Sequence, residues 1–129
     1  MRGSWLVAVV VILAGCSASR PSADQRPVLH DSLPVQAGTG RELNFVLDGG
    51  NKLNWTWTST VDLRFDVHSH GAEGVLEYAV ANGTSGTGSF TAPRSGAFSL
   101  LWENAGSLSA TLTYAVGYDG RFTSSYAVD

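Results

Sequence analysis

Apolar and polar residues alternate along most of the chain from Arg41 onward. The alternation has the period of two that is typical of a β-strand with one buried and one exposed face. Turns rich in glycine and asparagine interrupt it at intervals of about ten residues, with no helical period between them. The candidate strands cover residues 41–48, 52–59, 61–70, 74–82, 86–92, 97–104 and 108–118. The pattern predicts an all-β fold, an antiparallel two-sheet, jelly-roll-like β-sandwich of about 7–8 strands.

The same alternation assigns one face of each strand to a single core between the two sheets. The residues predicted to point inward are Leu53, Trp55, Trp57, Val61, Leu63, Phe65, Val67, Leu76, Tyr78, Val80, Phe98, Leu100, Trp102, Leu108, Ala110, Leu112, Tyr114 and Val116. A large apolar side chain contributes about 1.5–3 kcal/mol when fully buried, so the tryptophans are expected in the core. The alternative is an aromatic platform for a ligand. The glycine-rich residues 83–88 are expected to form a flexible hairpin loop.

The beginning of the chain does not follow this pattern. Arg2 precedes an unbroken apolar run, Trp5–Ala14, which as a helix would be about 15 Å long, half of a hydrocarbon core of about 30 Å. A run this short is typical of a signal peptide rather than of a membrane span. It ends in Leu13-Ala14-Gly15-Cys16, which resembles the lipobox of bacterial lipoproteins at all four positions. The resemblance implies removal of residues 1–15, a diacylglyceryl thioether on Cys16 and commonly acylation of its new α-amino group.

Such an anchor places the protein at a membrane surface. Each buried methylene contributes about 0.8 kcal/mol, so two or three acyl chains hold a protein stably. Ser17, rather than Asp, follows the cysteine. In a Gram-negative host the resemblance therefore favours the periplasmic face of the outer membrane, and in any other host the outer face of the cell membrane.

The segment after the cysteine is predicted to be a lipid-anchored flexible tether over residues 16–40. It holds three of the 4 prolines and has no apolar period, which favours a semi-extended linker. The folded domain is predicted over residues 41–120. Residues 121–129 either fray as a tail or add an edge strand.

A family resemblance rests on the order of features between Leu53 and Tyr114. An aromatic strand is followed by a strand with the pattern Asp-Leu-x-Phe-x-Val and then by a Gly-x-Phe-x-Leu-x-Trp-x-Asn run. The matching residues are Trp55, Trp57, Asp62, Leu63, Phe65, Val67, Gly88, Phe90, Gly96, Phe98, Leu100, Trp102 and Asn104. The order resembles the GOLD domain of p24 cargo receptors and of some Sec14-like lipid-transfer proteins. The resemblance implies a jelly-roll-like sandwich that binds proteins or lipids, and it supplies no catalytic residues. Asn104 is expected to satisfy backbone groups of the turn that follows it.

Charge and composition narrow the function further. The formal net charge is −3 and no basic cluster occurs, so there is no electrostatic footprint for nucleic acid. Cys16 is the one cysteine, so an intrachain disulfide cannot form. The Gly-x-Ser-x-Gly elbow of serine hydrolases does not occur. Glu77 and Glu103 could serve a glycosidase, but nothing in the sequence marks a cleft between them. We therefore expect a protein that is not an enzyme.

His68 and His70 are the candidate chemical site. Alternate side chains of a strand project to the same side, so the two histidines share a face about 7 Å apart with Asp66 next in line. A His-x-His pair on a strand can supply two ligands to zinc or copper. Glu77 on the next strand is the predicted third ligand, and Glu73 in the turn is the second choice. The alternative interpretation is an ordinary solvated strand face with no site.

The sequence thus predicts a lipid-anchored envelope protein whose sandwich binds an unknown envelope protein, lipid or other envelope component without catalysis. This function needs no cofactor beyond the covalent lipid. The alternative function is binding of zinc or copper at the His68 and His70 pair.

We expect the substitution Cys16→Ala to release the protein from the membrane fraction, because it removes the sulfur that would carry the lipid. Fractionation of cells that produce either form measures this, and globomycin treatment should affect the wild-type chain only. Unchanged fractionation of the variant would contradict the anchor.

Overall fold

The structure, a computed structural model, describes residues 25–129, and the predicted signal peptide and Cys16 lie outside this range. Seven strands make up the fold there, and the range contains no helix that is long and apolar enough to cross a membrane. The strands are β1 (Val28–Val35), β2 (Gly40–Leu47), β3 (Lys52–Gly71), β4 (Gly74–Thr91), β5 (Gly96–Glu103), β6 (Ala110–Tyr118) and β7 (Arg121–Val128). All their pairings are antiparallel. The predicted all-β sandwich class is confirmed.

The strands form two layers that share the long hairpin of β3 and β4. In the first layer β6 lies between β1 and residues 53–59 of β3. In the second layer β5 lies between β2 and residues 64–70 of β3, and β7 pairs with the other edge of β2. Strand β4 pairs with β3 through both layers. Because one strand runs through both layers, the hydrogen-bonded network is continuous from β1 to β7.

The hairpin passes from one layer to the other at an irregularity in its pairing. Thr58 pairs with Ser85 and Leu63 with Gly83, so residues 59–62 lie opposite the single residue Thr84. Gly83 has a φ of 141°, a conformation that glycine adopts readily because it lacks a Cβ. A bulge of this kind bends a strand without ending it. The strands predicted over 52–59 and 61–70 are therefore one strand, and those over 74–82 and 86–92 are another.

The glycine-rich residues 83–88 belong to strand β4, so the prediction of a flexible loop is wrong. Gly86 and Gly88 pair with Trp57 and Trp55 across the hairpin. A Cβ on Gly86 would lie 2.5 Å from Trp57 Nε1, and one on Gly88 would lie 2.8 Å from Trp55 Cζ2. The absence of a side chain at both glycines thus lets the indole rings lie against the β4 backbone.

The core lies between the layers, and most of the predicted inward residues form it. Trp55, Trp57 and Trp102 are buried, which confirms them as core residues. Phe65 lies at the centre of the aromatic packing, with its ring centroid within 6.0 Å of the rings of all three tryptophans. The remaining buried apolar residues that pack with them are Val35, Leu43, Phe45, Leu47, Leu53, Leu63, Val67, Ala92, Phe98, Leu100, Ala110, Leu112, Tyr114 and Val116.

Four residues predicted to point into the core are exposed instead: Leu76, Tyr78, Val80 and Leu108. The first three lie on β4, whose far edge pairs with none of the strands described for residues 25–129. Val80 pairs with Asp66, whose side chain lies on the face away from the core. A second register shift, between Val67 and His68, reverses the alternation beyond it, and Leu76 there pairs with Ser69. Leu108 precedes β6 and belongs to a loop.

The range predicted as a tether, residues 16–40, contains a β-strand. Strand β1 lies within it and pairs with β6 from Val28 to Val35, so the prediction of a flexible segment is wrong for these residues. Arg26 is also held, because its Nε donates to Asp119 Oδ1 at 2.8 Å. His30 lies on β1 and is exposed. Residues 121–129 were predicted either to fray as a tail or to add an edge strand. Arg121–Val128 form β7, which pairs with the edge of β2, so the edge strand is correct.

Asn104 closes the turn after β5, as the sequence predicted. Its Nδ2 donates to the carbonyl oxygens of Val35 at 2.9 Å and Leu108 at 2.8 Å. Its Oδ1 accepts from the backbone N–H of Gly106 at 3.1 Å. Asn104 is 1% exposed, so these backbone groups have little access to water as an alternative partner.

We expect Asn104→Ala to lower the free energy of unfolding by about 2–3 kcal/mol, because it leaves buried backbone groups without partners. Urea unfolding followed by tryptophan fluorescence measures the change. Asn82→Ala on the exposed edge strand is the matched control and should change stability by less than about 0.5 kcal/mol. Equal losses in the two variants would contradict the role of Asn104.

Candidate metal centre

The outer face of the second layer, which points away from the core, carries a buried polar cluster. On this face, residues that pair across β2, β5 and β3 lie side by side in three rows. The rows are Glu42–Leu101–Asp66, Asn44–Ser99–His68 and Val46–Ala97–His70. Glu42, Asp66 and His68 are at most 5% exposed, and Ser99 is fully buried. An outer strand face is normally solvated, and burial of ionisable groups there is uncommon unless they are paired. The interpretation of an ordinary wet strand face is therefore wrong for these residues.

Three metal-binding side chains converge above Ser99. Ligand atoms of Glu42, His68 and His70 lie within 4.8 Å of one another. The two histidine Nε2 atoms are 3.1 Å apart. Glu42 Oε1 is 3.5 Å from His70 Nε2 and 4.0 Å from His68 Nε2. Ser99 Oγ lies 3.1 Å from His70 Nε2 and donates to Asn44 Oδ1.

Asp66 fixes the orientation of His68. Asp66 Oδ1 and His68 Nδ1 are 2.6 Å apart. An ionised carboxylate can only accept a hydrogen bond, so the proton lies on Nδ1 and the neutral ring has its lone pair on Nε2. The lone pair therefore belongs to the nitrogen that faces His70 and Glu42. A carboxylate behind a ligating histidine is the usual outer partner in zinc sites.

Arg64 compensates the charge of Asp66. Its Nη1 donates to Asp66 Oδ2 at 2.5 Å and its Nη2 to Glu77 Oε1 at 2.7 Å. Glu103 Oε2 lies 3.9 Å from Nη1. The guanidinium thus holds two carboxylates on the β4 side of the cluster and leaves Glu42 as the carboxylate nearest the histidine Nε2 atoms.

The charges of this network shift the pKa values of its members. Burial raises the pKa of Asp66, but the hydrogen bonds with His68 and Arg64 outweigh it, and the net pKa is lower than usual. The hydrogen bond with Asp66 raises the pKa of His68 against the opposing effect of burial. The hydrogen bonds to Glu77 and Asp66 raise the already high pKa of Arg64.

The spacing of the three ligand atoms fits a tetrahedral ion. Donors about 2.0–2.1 Å from Zn²⁺ lie about 3.3 Å apart in a tetrahedral site. The observed separations of 3.1, 3.5 and 4.0 Å bracket this value. The donor set of two imidazoles and one carboxylate is one that zinc accepts in proteins, with a fourth position left open.

The structure brings together both histidines and Asp66, which the sequence singled out. Glu77, the predicted third ligand, pairs with Arg64, and Glu42 is the carboxylate that converges with the two histidines. Glu73 lies in the turn between β3 and β4 and is not in the group. Glu42 was missed because it lies two strands away from β3 and reaches the histidines across β5. The one signal that points to it is a glutamate within the predicted strand of residues 41–48, whose other charged residues, Arg41 and Asp48, lie at its two ends.

Asp66→Asn should lower the free energy of unfolding by about 3 kcal/mol at pH 7, because it leaves Arg64 and His68 without a buried anion. Equilibrium denaturation measures this, with exposed Asp62→Asn on the same strand as a control that should change stability by less than about 0.5 kcal/mol. The folded-state pKa of Asp66 is lowered, so its contribution is present above the unfolded pKa of about 3.9 and disappears as the pH falls through the folded value. The deficit of the variant should shrink accordingly in acid. A deficit that is equal at pH 7 and pH 2 would contradict this account.

Comparison with known proteins gives a match in fold. No family model matches the chain, and no curated protein matches it. Among solved structures, the chain is similar to the Yersinia pseudotuberculosis-derived mitogen (YPM), with a TM-score of 0.56 and 11% sequence identity. The match covers 74% of this chain and 89% of the mitogen. At this identity the similarity supports the β-sandwich fold and nothing about activity.

Proposed function

We propose that the protein is a lipid-anchored envelope protein that binds a divalent transition-metal ion, zinc or copper, through Glu42, His68 and His70. The observation that carries the proposal is the convergence of three ligand atoms, two of them on side chains that are 5% exposed. The envelope location rests on the resemblance of residues 13–16 to a lipobox.

The burial of Glu42 supports a cation at this position. Its carboxylate accepts one hydrogen bond, from Tyr126 Oη at 3.1 Å, and has no lysine or arginine within salt-bridge distance among residues 25–129. A buried carboxylate is costly unless it is paired or bound to a metal. A divalent ion held between Glu42 and the histidines would satisfy the carboxylate and both imidazole lone pairs at once.

The ligand chemistry narrows the choice of metal. Imidazole suits zinc and copper, whereas calcium and magnesium prefer all-oxygen sites. A blue-copper centre requires a cysteine thiolate, and the one cysteine is Cys16 in the predicted anchor. The proposed site is therefore a zinc site or a copper site without a thiolate ligand.

A second candidate function is the binding of an envelope protein or lipid by the sandwich itself, as the GOLD-like pattern implies. The exposed apolar side chains of Val75, Leu76, Tyr78 and Val80 along β4 support it, because a long apolar edge strand is a template for pairing with another chain.

Titration of the full-length chain with Zn²⁺ and Cu²⁺ by calorimetry tests the metal site. We expect one ion per chain, and a loss of at least about 100-fold in affinity for Glu42→Gln and for the His68→Ala/His70→Ala double variant, because each removes direct ligands. Glu77→Gln is the matched control, since it removes the same charge from a residue held by Arg64, and it should bind within about threefold of the wild-type chain.

Equal affinity in the wild-type chain and the double variant would contradict this site. Equal losses for Glu77→Gln and Glu42→Gln would contradict the assignment of the third ligand.

A further inference from the structure

We infer that the metal ion at this site keeps one exchangeable position and that this position takes a small monocarboxylate with a short apolar chain. The inference rests on the proposed metal site and names the class of ligand that the site would accept.

The number of protein ligands leaves a position open. Among residues 25–129 the group of convergent metal-binding side chains contains three members. The two nearest further carboxylates are already engaged, Asp66 with His68 and Arg64, and Glu77 with Arg64. A four-coordinate ion therefore completes its shell with water or with an exogenous ligand. The His70 side chain is 45% exposed, so the solvent reaches the site on that side.

The charge of the site favours a ligand with one negative charge. A divalent ion and the Glu42 carboxylate together carry one positive charge, and Arg64 compensates the buried Asp66. Arg64 also pairs with Glu77 and Glu103, but these side chains are 49% and 46% exposed, so the solvent screens their charges. A monocarboxylate neutralises the site, whereas a phosphate dianion would leave a negative charge beside the buried Glu42. Unbalanced charge at a desolvated position is unfavourable.

The side of the site on which His70 lies carries apolar residues. His70 pairs with Ala97 on β5 and with Val75 on β4, and Ala97 pairs with Val46 on β2. Val46 is 39% exposed and Val75 is 61% exposed. Leu101 lies on the same face two rows away, between Glu42 and Asp66, and is 8% exposed. A few polar groups within an apolar surround are typical of a site for a small organic ligand. We call Val46, Ala97 and Val75, which lie in one row with His70, the apolar rim.

The rim explains why the ligand should carry an apolar chain. A carboxylate oxygen would take the open position on the metal, and the chain would extend over the rim toward Val75. Each methylene removed from water there increases affinity by about fourfold.

The test uses the full-length chain in a non-ionic detergent, loaded with Co²⁺, whose visible absorption reports its coordination. Titration with acetate, with butyrate and with inorganic phosphate compares the ligand classes. We expect both carboxylates to change the absorption bands, butyrate to bind about 4–15-fold more tightly than acetate, and phosphate to bind more weakly than either.

Val75→Asn should bring butyrate to within about twofold of acetate, while the affinities for Co²⁺ and for acetate stay at their wild-type values. Leu108→Asn is the matched control, because Leu108 is 67% exposed and lies in a loop outside the rim. It should keep the preference for butyrate.

Two outcomes would overturn the inference and leave the metal site intact. One is Co²⁺ binding that depends on His68 and His70 but whose spectrum no carboxylate changes. The other is equal affinity for acetate and butyrate in the wild-type chain. If Co²⁺ does not bind, or binds equally to the His68→Ala/His70→Ala variant, the proposed function fails and the inference fails with it.

Discussion

The continuity of strand β3 through both layers is the constraint on which the rest of the structure depends. Its 20 residues pair with β4, with β6 in the first layer and with β5 in the second. The first half contributes Trp55 and Trp57 to the core, and the second half contributes Phe65 to the same core and His68 to the opposite face. A change in its register would reverse both faces at once, because side chains alternate with a period of two. Core packing therefore fixes the position of the candidate site.

The side chains of the polar cluster form a chain of hydrogen bonds that starts at Arg64. Arg64 holds Asp66, and Asp66 holds the Nδ1 proton of His68, which leaves the Nε2 lone pair toward His70 and Glu42. Among residues 25–129, the one hydrogen-bond donor to the buried Glu42 carboxylate is the Tyr126 hydroxyl, and no lysine or arginine lies within salt-bridge distance of it. Glu42 is therefore the buried carboxylate of the cluster that a cation would compensate, which is the basis of the metal site that we propose.

The alternation of residues was enough to predict much of the fold. It identified the inward faces of β3, β5 and β6, because these strands have neighbours on both sides and one apolar face each. It failed on β4, where Leu76 and Val80 alternate like core residues but lie on an edge with a register shift. It also failed for residues 28–35, whose proline and polar residues suggest a linker although their backbone pairs with β6. Backbone hydrogen bonds do not depend on side-chain pattern, so an edge strand with a weak pattern is not visible in the sequence.

For the site, the sequence by itself determined which strand carries the candidate ligands, since a His-x-His pair with Asp two residues earlier places three ionisable groups on one face of β3. The sequence also determined the apolar core that holds this strand in place, and it supplies the resemblance to a lipid anchor. Only the tertiary structure decided that this face is buried and that Glu77 pairs with Arg64 instead of facing the histidines. It also decided that Glu42 reaches the histidines across β5. The physical reason is that alternation specifies the face on which a side chain lies, whereas strand order specifies its neighbours. Strand order arises from pairings between residues far apart in the chain, and no local pattern encodes them.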